Sequence, residues 1–271
     1  MTKVDWDEAF ANAAYIKDGN TYPDRWRRSA TAFVADQERV DLNVSYGPHL
    51  RQKFDLFWPG TEPDGLVVFV HGGYWLDFDK SYWSHLAGGA CKKGWAVAIP
   101  SYVLAPEVKI SEITQMIGVA IEKCAELVDG PIVLVGHSAG GHLVTRMACD
   151  PSPLQDRVRA RVSRVVSISG LHDLRNLIQT QMNEQLQLDL DEATAESVAL
   201  QTPITTAEII CWVGAQERPE FLSQALVLQD AWKNRVADIQ VVVEPRRHHF
   251  DVIGSLTNPM SPLSLALIGA M

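Results

Sequence analysis

The stretch from Ile132 to His142 constrains this chain more than any other. It reads Ile-Val-Leu-Val-Gly-His-Ser-Ala-Gly-Gly-His: four β-prone apolar residues, a G-x-S-x-G turn, then the start of a helix. A strand that passes so abruptly into a helix needs positions without a Cβ, and Gly136 and Gly140 flank Ser138 there. The turn holds a serine hydroxyl clear of the backbone at a strand end. The plainer alternative is a glycine-rich turn that only caps a buried strand.

The surrounding pattern extends this to a fold class. Gly65–Val70 is a continuous apolar run, as a strand buried on both faces requires. Further strands are expected at Asn43–Tyr46, Gln52–Trp58, Trp95–Ser101, Arg164–Ser169, Ala207–Val213 and Ile239–Val243. Helices are expected at Asp79–Lys93, ending at Gly94, and at Ser111–Val128, with Ser111 as N-cap. Others are expected at Ala139–Cys149, at Pro219–Asn234 and over 259–270. Alternation of strands and helices from residue 65 onward predicts an α/β chain with a mostly parallel sheet covered on both faces. Residues 1–40 read as an arm with helical stretches, and 173–203 as a small cap-like excursion above the sheet. With 271 residues, 46% of them hydrophobic, one large α/β domain spanning 1–271 has enough apolar material for its core.

Composition narrows the function. The formal net charge is −9 and the Lys and Arg residues are dispersed, so no basic stripe invites nucleic acid or an anionic membrane surface. The N-terminus lacks an apolar signal core, and no apolar run approaches the ~18 residues of a membrane span. Cys91, Cys124, Cys149 and Cys211 are far apart and read as free thiols. A soluble cytoplasmic protein acting on a small molecule follows, with a homodimer the one partner left open.

In an open α/β sheet, catalytic groups gather at the carboxyl ends of the strands. A serine nucleophile needs a base, usually histidine near pH 7, and an acid that orients it. The last strand is followed by Pro-Arg-Arg-His-His-Phe-Asp, so His249 is the favoured base and His248 its rival. Glu217, three residues past Gly214, is the favoured acid, with Asp173 and Glu220 as alternatives. Glu220 falls in a helix's first turn, where the macrodipole alone favours a carboxylate. An oxyanion hole needs N–H donors, and Ala139 after the serine supplies one. The glycines of His71-Gly-Gly-Tyr-Trp75 supply others, from Gly72 and Gly73, while His71 reads as structural. No metal is called for: His137 and His142 are five apart, off one helix face, with no carboxylate to complete a ligand set.

With these residues in place the chain resembles the α/β-hydrolase type of kynurenine formamidase, within the wider esterase and lipase superfamily. The likeness rests on His71-Gly-Gly-Tyr-Trp75 and Gly136-His-Ser-Ala-Gly140, with Tyr22-Pro-Asp-Arg-Trp26, Asp55-Leu-Phe-Trp-Pro59, Leu104-Ala-Pro-Glu107 and His249-Phe-Asp251 in support. The resemblance implies an α/β-hydrolase fold and no cofactor, with Ser138, His249 and Glu217 as nucleophile, base and acid. The family usually places Asp where this chain has Glu217. Related lipases often read His-Gly-Gly-Gly, and Tyr74 in place of the last glycine implies a narrow acyl side suited to formyl. Tyr74 and Trp75 are then candidates to stack on an aryl leaving group. The implied reaction is cleavage of a small acyl amide of an aromatic amine. A small-acyl carboxylesterase with the same triad is the alternative.

Overall fold

The computed structural model describes residues 4–269; the ends of the chain, including the last residue of the helix expected over 259–270, lie outside them. Eight strands form the central sheet: β1 (Val40–Ser45), β2 (Lys53–Phe57), β3 (Leu66–Val70), β4 (Ala96–Pro100), β5 (Ile132–His137), β6 (Val162–Ile168), β7 (Glu208–Gly214) and β8 (Ile239–Glu244). Their spatial order is β1-β2-β4-β3-β5-β6-β7-β8. Only β2 runs against its neighbours, pairing antiparallel with β1 and β4, while every other pair is parallel.

Strand β3 shows why this sheet is covered twice. All five of its residues are buried. Leu66, Val68 and Val70 point into one apolar layer and Val67 and Phe69 into the other, the period-2 alternation of a strand. The first layer packs against helices α3 (Ile110–Ala125), α4 (Ala139–Arg146) and α6 (Pro219–Trp232) through Ile117, Leu143 and Leu228. The second packs against α2 (Tyr22–Ala35) and α7 (Pro262–Ile268) through Trp26 and Leu267. The arm therefore belongs to the body of the fold, and α1 (Trp6–Phe10) adds a fully buried Phe10 to the first layer.

Two expectations need correction. The helix expected over Asp79–Lys93 is instead two 3₁₀ turns, Lys80–Tyr82 and Ser84–Ala87, followed by Gly88–Cys91. Backbone approach explains the break: a Cβ on Gly89 would lie 2.2 Å from the Leu256 carbonyl oxygen, so tertiary packing sets the path. Ser111 is not the N-cap of α3. That position is Lys109, whose N–H donates to the Glu112 carboxylate at 2.9 Å, the reach-back half of a capping box. The excursion 173–203 makes buried contacts with α3 and α4. Its helix α5 (Leu190–Glu196) places Glu196 in a buried cluster with Thr114, His142 and Arg146, between α3 and α4. All four cysteines are free thiols, and among the described residues no helix is long and apolar enough to cross a membrane.

Candidate active site

Strand β5 ends at His137 and α4 begins at Ala139, leaving Ser138 alone at the corner with φ 55° and ψ −119°. Such a conformation costs a non-glycine residue about 1–3 kcal/mol and persists only where packing imposes it. The packing is visible. A Cβ on Gly136 would sit 2.1 Å from the Gly140 carbonyl oxygen, and one on Gly140 would sit 2.0 Å from that of Val70. Strand, corner and helix are thus pressed together where only glycine fits, and the Ser138 N–H is tied to the Ile168 carbonyl at 2.8 Å.

The loop after β8 brings His249 to the same place. Its Nδ1 is 2.7 Å from Oε2 of Glu217, and both side chains are buried. Nδ1–H donates to the carboxylate, which puts the free lone pair of the imidazole on Nε2. Among the described residues no hydrogen bond engages that Nε2 or the Ser138 hydroxyl, and both residues line one cavity. Phe221, at 4.3 Å between ring centroids, packs on the imidazole.

The other oxygen of Glu217, Oε1, accepts from Ser169 Oγ at 2.5 Å and from the Gly214 N–H at 2.7 Å. Glu217 is therefore held at Oε1 by the ends of β6 and β7 and at Oε2 by His249. Sequence reasoning missed Ser169; its place one residue past β6, at the carboxyl edge where such groups gather, is the signal that pointed to it. It also missed His137. Burial, and the nearby His249, push His137 well below the ordinary histidine range, so it is neutral. Its Nε2–H donates to the His249 carbonyl at 2.9 Å, pinning the loop that carries His249.

The rivals stand elsewhere. His248 turns toward the surface arm, with Nε2 3.1 Å from the Tyr22 hydroxyl. Asp173 is taken by Arg175 through paired bonds of 2.9 and 2.6 Å. Glu220 accepts from Gln224 at 2.8 Å. Among the described residues none of these three side chains hydrogen-bonds the His249 imidazole, whereas Glu217 does.

The loop after β3 closes the serine side. Gly72 lies so near that a Cβ on it would meet the Ser138 Cβ at 2.9 Å, and Gly73 has φ +108°. Among the described residues no hydrogen bond uses the N–H of Gly72, Gly73 or Ala139, so all three donors stand free beside Ser138. His71 is the loop's prop. It is fully buried, stacks on Tyr102 at 4.4 Å, and burial lowers its pKa to about 4.

Tyr74 lines the cavity, and its hydroxyl donates to the Phe10 carbonyl at 2.6 Å, which fixes the ring over the site. Trp75 does not line it. The expectation that Trp75 contacts an aryl group is corrected: the indole is 0% exposed, lies in the apolar layer under the loop and meets His142 edge-on at 5.2 Å. Two consecutive positive φ angles, 51° at Tyr74 and 61° at Trp75, turn the chain so that one ring faces the cavity and the next the core. Burial of the larger ring is favoured by its greater apolar area.

The cavity holds about 380 Å³. Phe10, Trp26, Tyr74, Phe78, Trp83 and Phe250 wall it, with Ser138 and His249 among its lining. From 173–203 only Met182 reaches it, whereas the arm contributes Asp7, Phe10, Asn12 and Trp26. Among the described residues no group of three metal-ligating side chains occurs.

A strand-end serine in a strained corner, a histidine–carboxylate pair and free N–H donors, on a mostly parallel sheet with one reversed strand, define a serine-type hydrolase with the α/β-hydrolase fold. The chain belongs to the BD-FAE family, whose model matches residues 54–225. A protein of Silicibacter sp. TM1040, provisionally described as a thioesterase, is 51% identical, with a TM-score of 0.92 over 98% of this chain and 100% of that one. Kynurenine formamidase of Salmo salar is 27% identical over 85% of this chain and 81% of its own. An esterase of Pyrobaculum calidifontis shares the fold, with a TM-score of 0.68 at 18% identity, over 98% of this chain and 96% of that one.

Proposed function

We propose that this hydrolase cleaves a small acyl amide of an aromatic amine, with formyl the preferred acyl group, through an acyl-enzyme on Ser138. The observation that carries this reading is the aromatic-walled cavity of about 380 Å³ that has Ser138 and His249 in its lining and Tyr74 clamped over it by the Phe10 carbonyl. A clamped ring restricts the acyl side, and the aromatic walls suit a flat leaving group. The likeness to kynurenine formamidase of Salmo salar supports the same substrate class.

In this reading Nε2 of His249 takes the Ser138 proton as Oγ attacks the acyl carbonyl. The oxyanion that forms is met by the N–H groups of Gly72, Gly73 and Ala139, a type of contact worth about 3–4 kcal/mol in the transition state. Glu217 holds Nδ1–H and offsets the imidazolium charge. His249 then protonates the departing amine, and water, deprotonated by the same Nε2, releases the acid. Esters of small acids are the competing substrates, since their alkoxide or phenoxide leaves with less help from His249.

Measurement of kcat/KM on N-formylkynurenine and on aryl acetates, with wild type and Ser138→Ala, tests the reading. The formamide is expected to be preferred, and the variant to lose at least ~10³-fold on both. A large preference for the acetates assigns the chain to the carboxylesterases instead. Unchanged hydrolysis by Ser138→Ala refutes catalysis at this site.

A further inference from the structure

We infer that Ser169 is a positioning residue for the reaction: its hydroxyl fixes the plane of the Glu217 carboxylate, and a strained backbone delivers that hydroxyl. This rests on the reading of Ser138, His249 and Glu217 as nucleophile, base and acid, and adds a fourth residue to it.

Ser169 is the first residue past β6 and has φ 52°, in the left-handed region that a serine adopts only at a cost. Two contacts hold the chain there. The Ser169 N–H donates to the Trp212 carbonyl at 2.7 Å, which ties it to β7. On its other side Gly170 is wedged between β6 and α4, where a Cβ would lie 2.0 Å from Ser167 Oγ and 3.2 Å from the Gly141 carbonyl carbon. Glycine adopts a left-handed φ without strain, so the backbone at 169 gives no reason for a serine. The hydroxyl gives one. It donates to Glu217 Oε1 at 2.5 Å, its one hydrogen bond among the described residues. Ser169 is buried and does not line the cavity, so it meets neither water nor substrate.

Glu217 needs this second donor. The Gly214 N–H, at 2.7 Å, fixes the place of Oε1 but not the plane of the group. The last torsion of a glutamate is broad and has no sharp staggered minimum. With Gly214 alone, the carboxylate is free to swing about that contact and carry Oε2 away from His249. Ser169 reaches the same oxygen from another strand end and removes the freedom. Oε2 is then held 2.7 Å from Nδ1 of His249.

Steady-state kinetics on an aryl acetate, with urea unfolding of the same samples, tests this in Ser169→Ala, Ser169→Gly, Glu217→Gln and Ser169→Ala/Glu217→Gln. In both Ser169 variants kcat and kcat/KM are expected to fall together, about ten- to hundredfold, as for one hydrogen bond to a charged group that matters in the transition state. Ser169→Gly is expected to unfold at a higher urea concentration than Ser169→Ala, because glycine relieves the backbone, while the two share one kcat. In the Glu217→Gln background no carboxylate remains to orient, so adding Ser169→Ala lowers kcat less than about twofold. A loss carried by KM, a kcat that follows the urea midpoint, or losses that multiply in the double variant overturns the inference. If Ser138→Ala is inactive while both Ser169 variants match wild type, this inference alone falls. If Ser138→Ala hydrolyses the acetate at the wild-type rate, the hydrolase reading falls with it.

Discussion

Glu217→Gln isolates the one step in which the carboxylate matters. Three donors converge on Glu217: Nδ1–H of His249 on Oε2, and Ser169 Oγ–H and Gly214 N–H on Oε1. Glutamine fills the same space with one oxygen and one NH₂. The Gly214 N–H is fixed in the backbone and can only donate, so the amide oxygen must stay with it. The NH₂ then faces His249 Nδ1, which has to accept, and the imidazole proton moves to Nε2. In the proposed mechanism that is the atom that takes the Ser138 proton. In serine proteases the same wrong tautomer costs about 10⁴ in kcat, and a similar loss, about 5.4 kcal/mol of transition-state stabilisation, is expected here. Because every hydrogen bond keeps a partner, folding stability should change by no more than about 1 kcal/mol. Steady-state kinetics on an aryl acetate, with urea unfolding of the same samples, separates the two quantities. Retention of more than about a tenth of wild-type kcat would show that Glu217 does not set the tautomer of His249.

Two further perturbations test the surroundings. Trp75→Phe should cost about 1–3 kcal/mol of stability through lost core packing, while the ratio of aryl to alkyl ester kcat/KM stays as in wild type; a changed ratio places Trp75 in contact with substrate. His71, His142 and His172 are wholly buried, and desolvation lowers each to about 4. The unfolded chain binds protons at these sites near pH 6.5 and the folded one does not, so their contribution is whole above pH 6.5 and is lost as pH falls toward 4. At pH 5 the three together should remove about 6 kcal/mol, comparable with a typical total stability. Equal urea midpoints at pH 7 and pH 5 refute this.

The local features were legible because their physics is local. The corner at Ser138 follows from Gly136 and Gly140, and the doubly covered sheet from continuous apolar strands such as Leu66–Val70. The carboxyl-edge rule, applied to those strands, led to the His248-His249 loop and to Glu217, with Asp173 and Glu220 as its rivals. It did not say which of two adjacent histidines turns inward, since His248 and His249 differ by one residue and a loop has no fixed period. The structure separates them by partners far away in sequence: Tyr22 for His248, Glu217 for His249.

The strand–serine–helix turn and the layered α/β plan were determined by sequence alone. The contents of the cavity were decided by tertiary structure. Tyr74 and Trp75 are neighbours with similar positive φ angles, yet one is clamped to the Phe10 carbonyl over the site and the other lies in the core. Phe10, Asn12 and Trp26 enter the site from an arm that no motif connects to Ser138. Periodicity records which residues avoid water, because burial follows the repeat of the element. It carries no record of which distant backbone a side chain meets, and that meeting determines which rings and acceptors surround the serine.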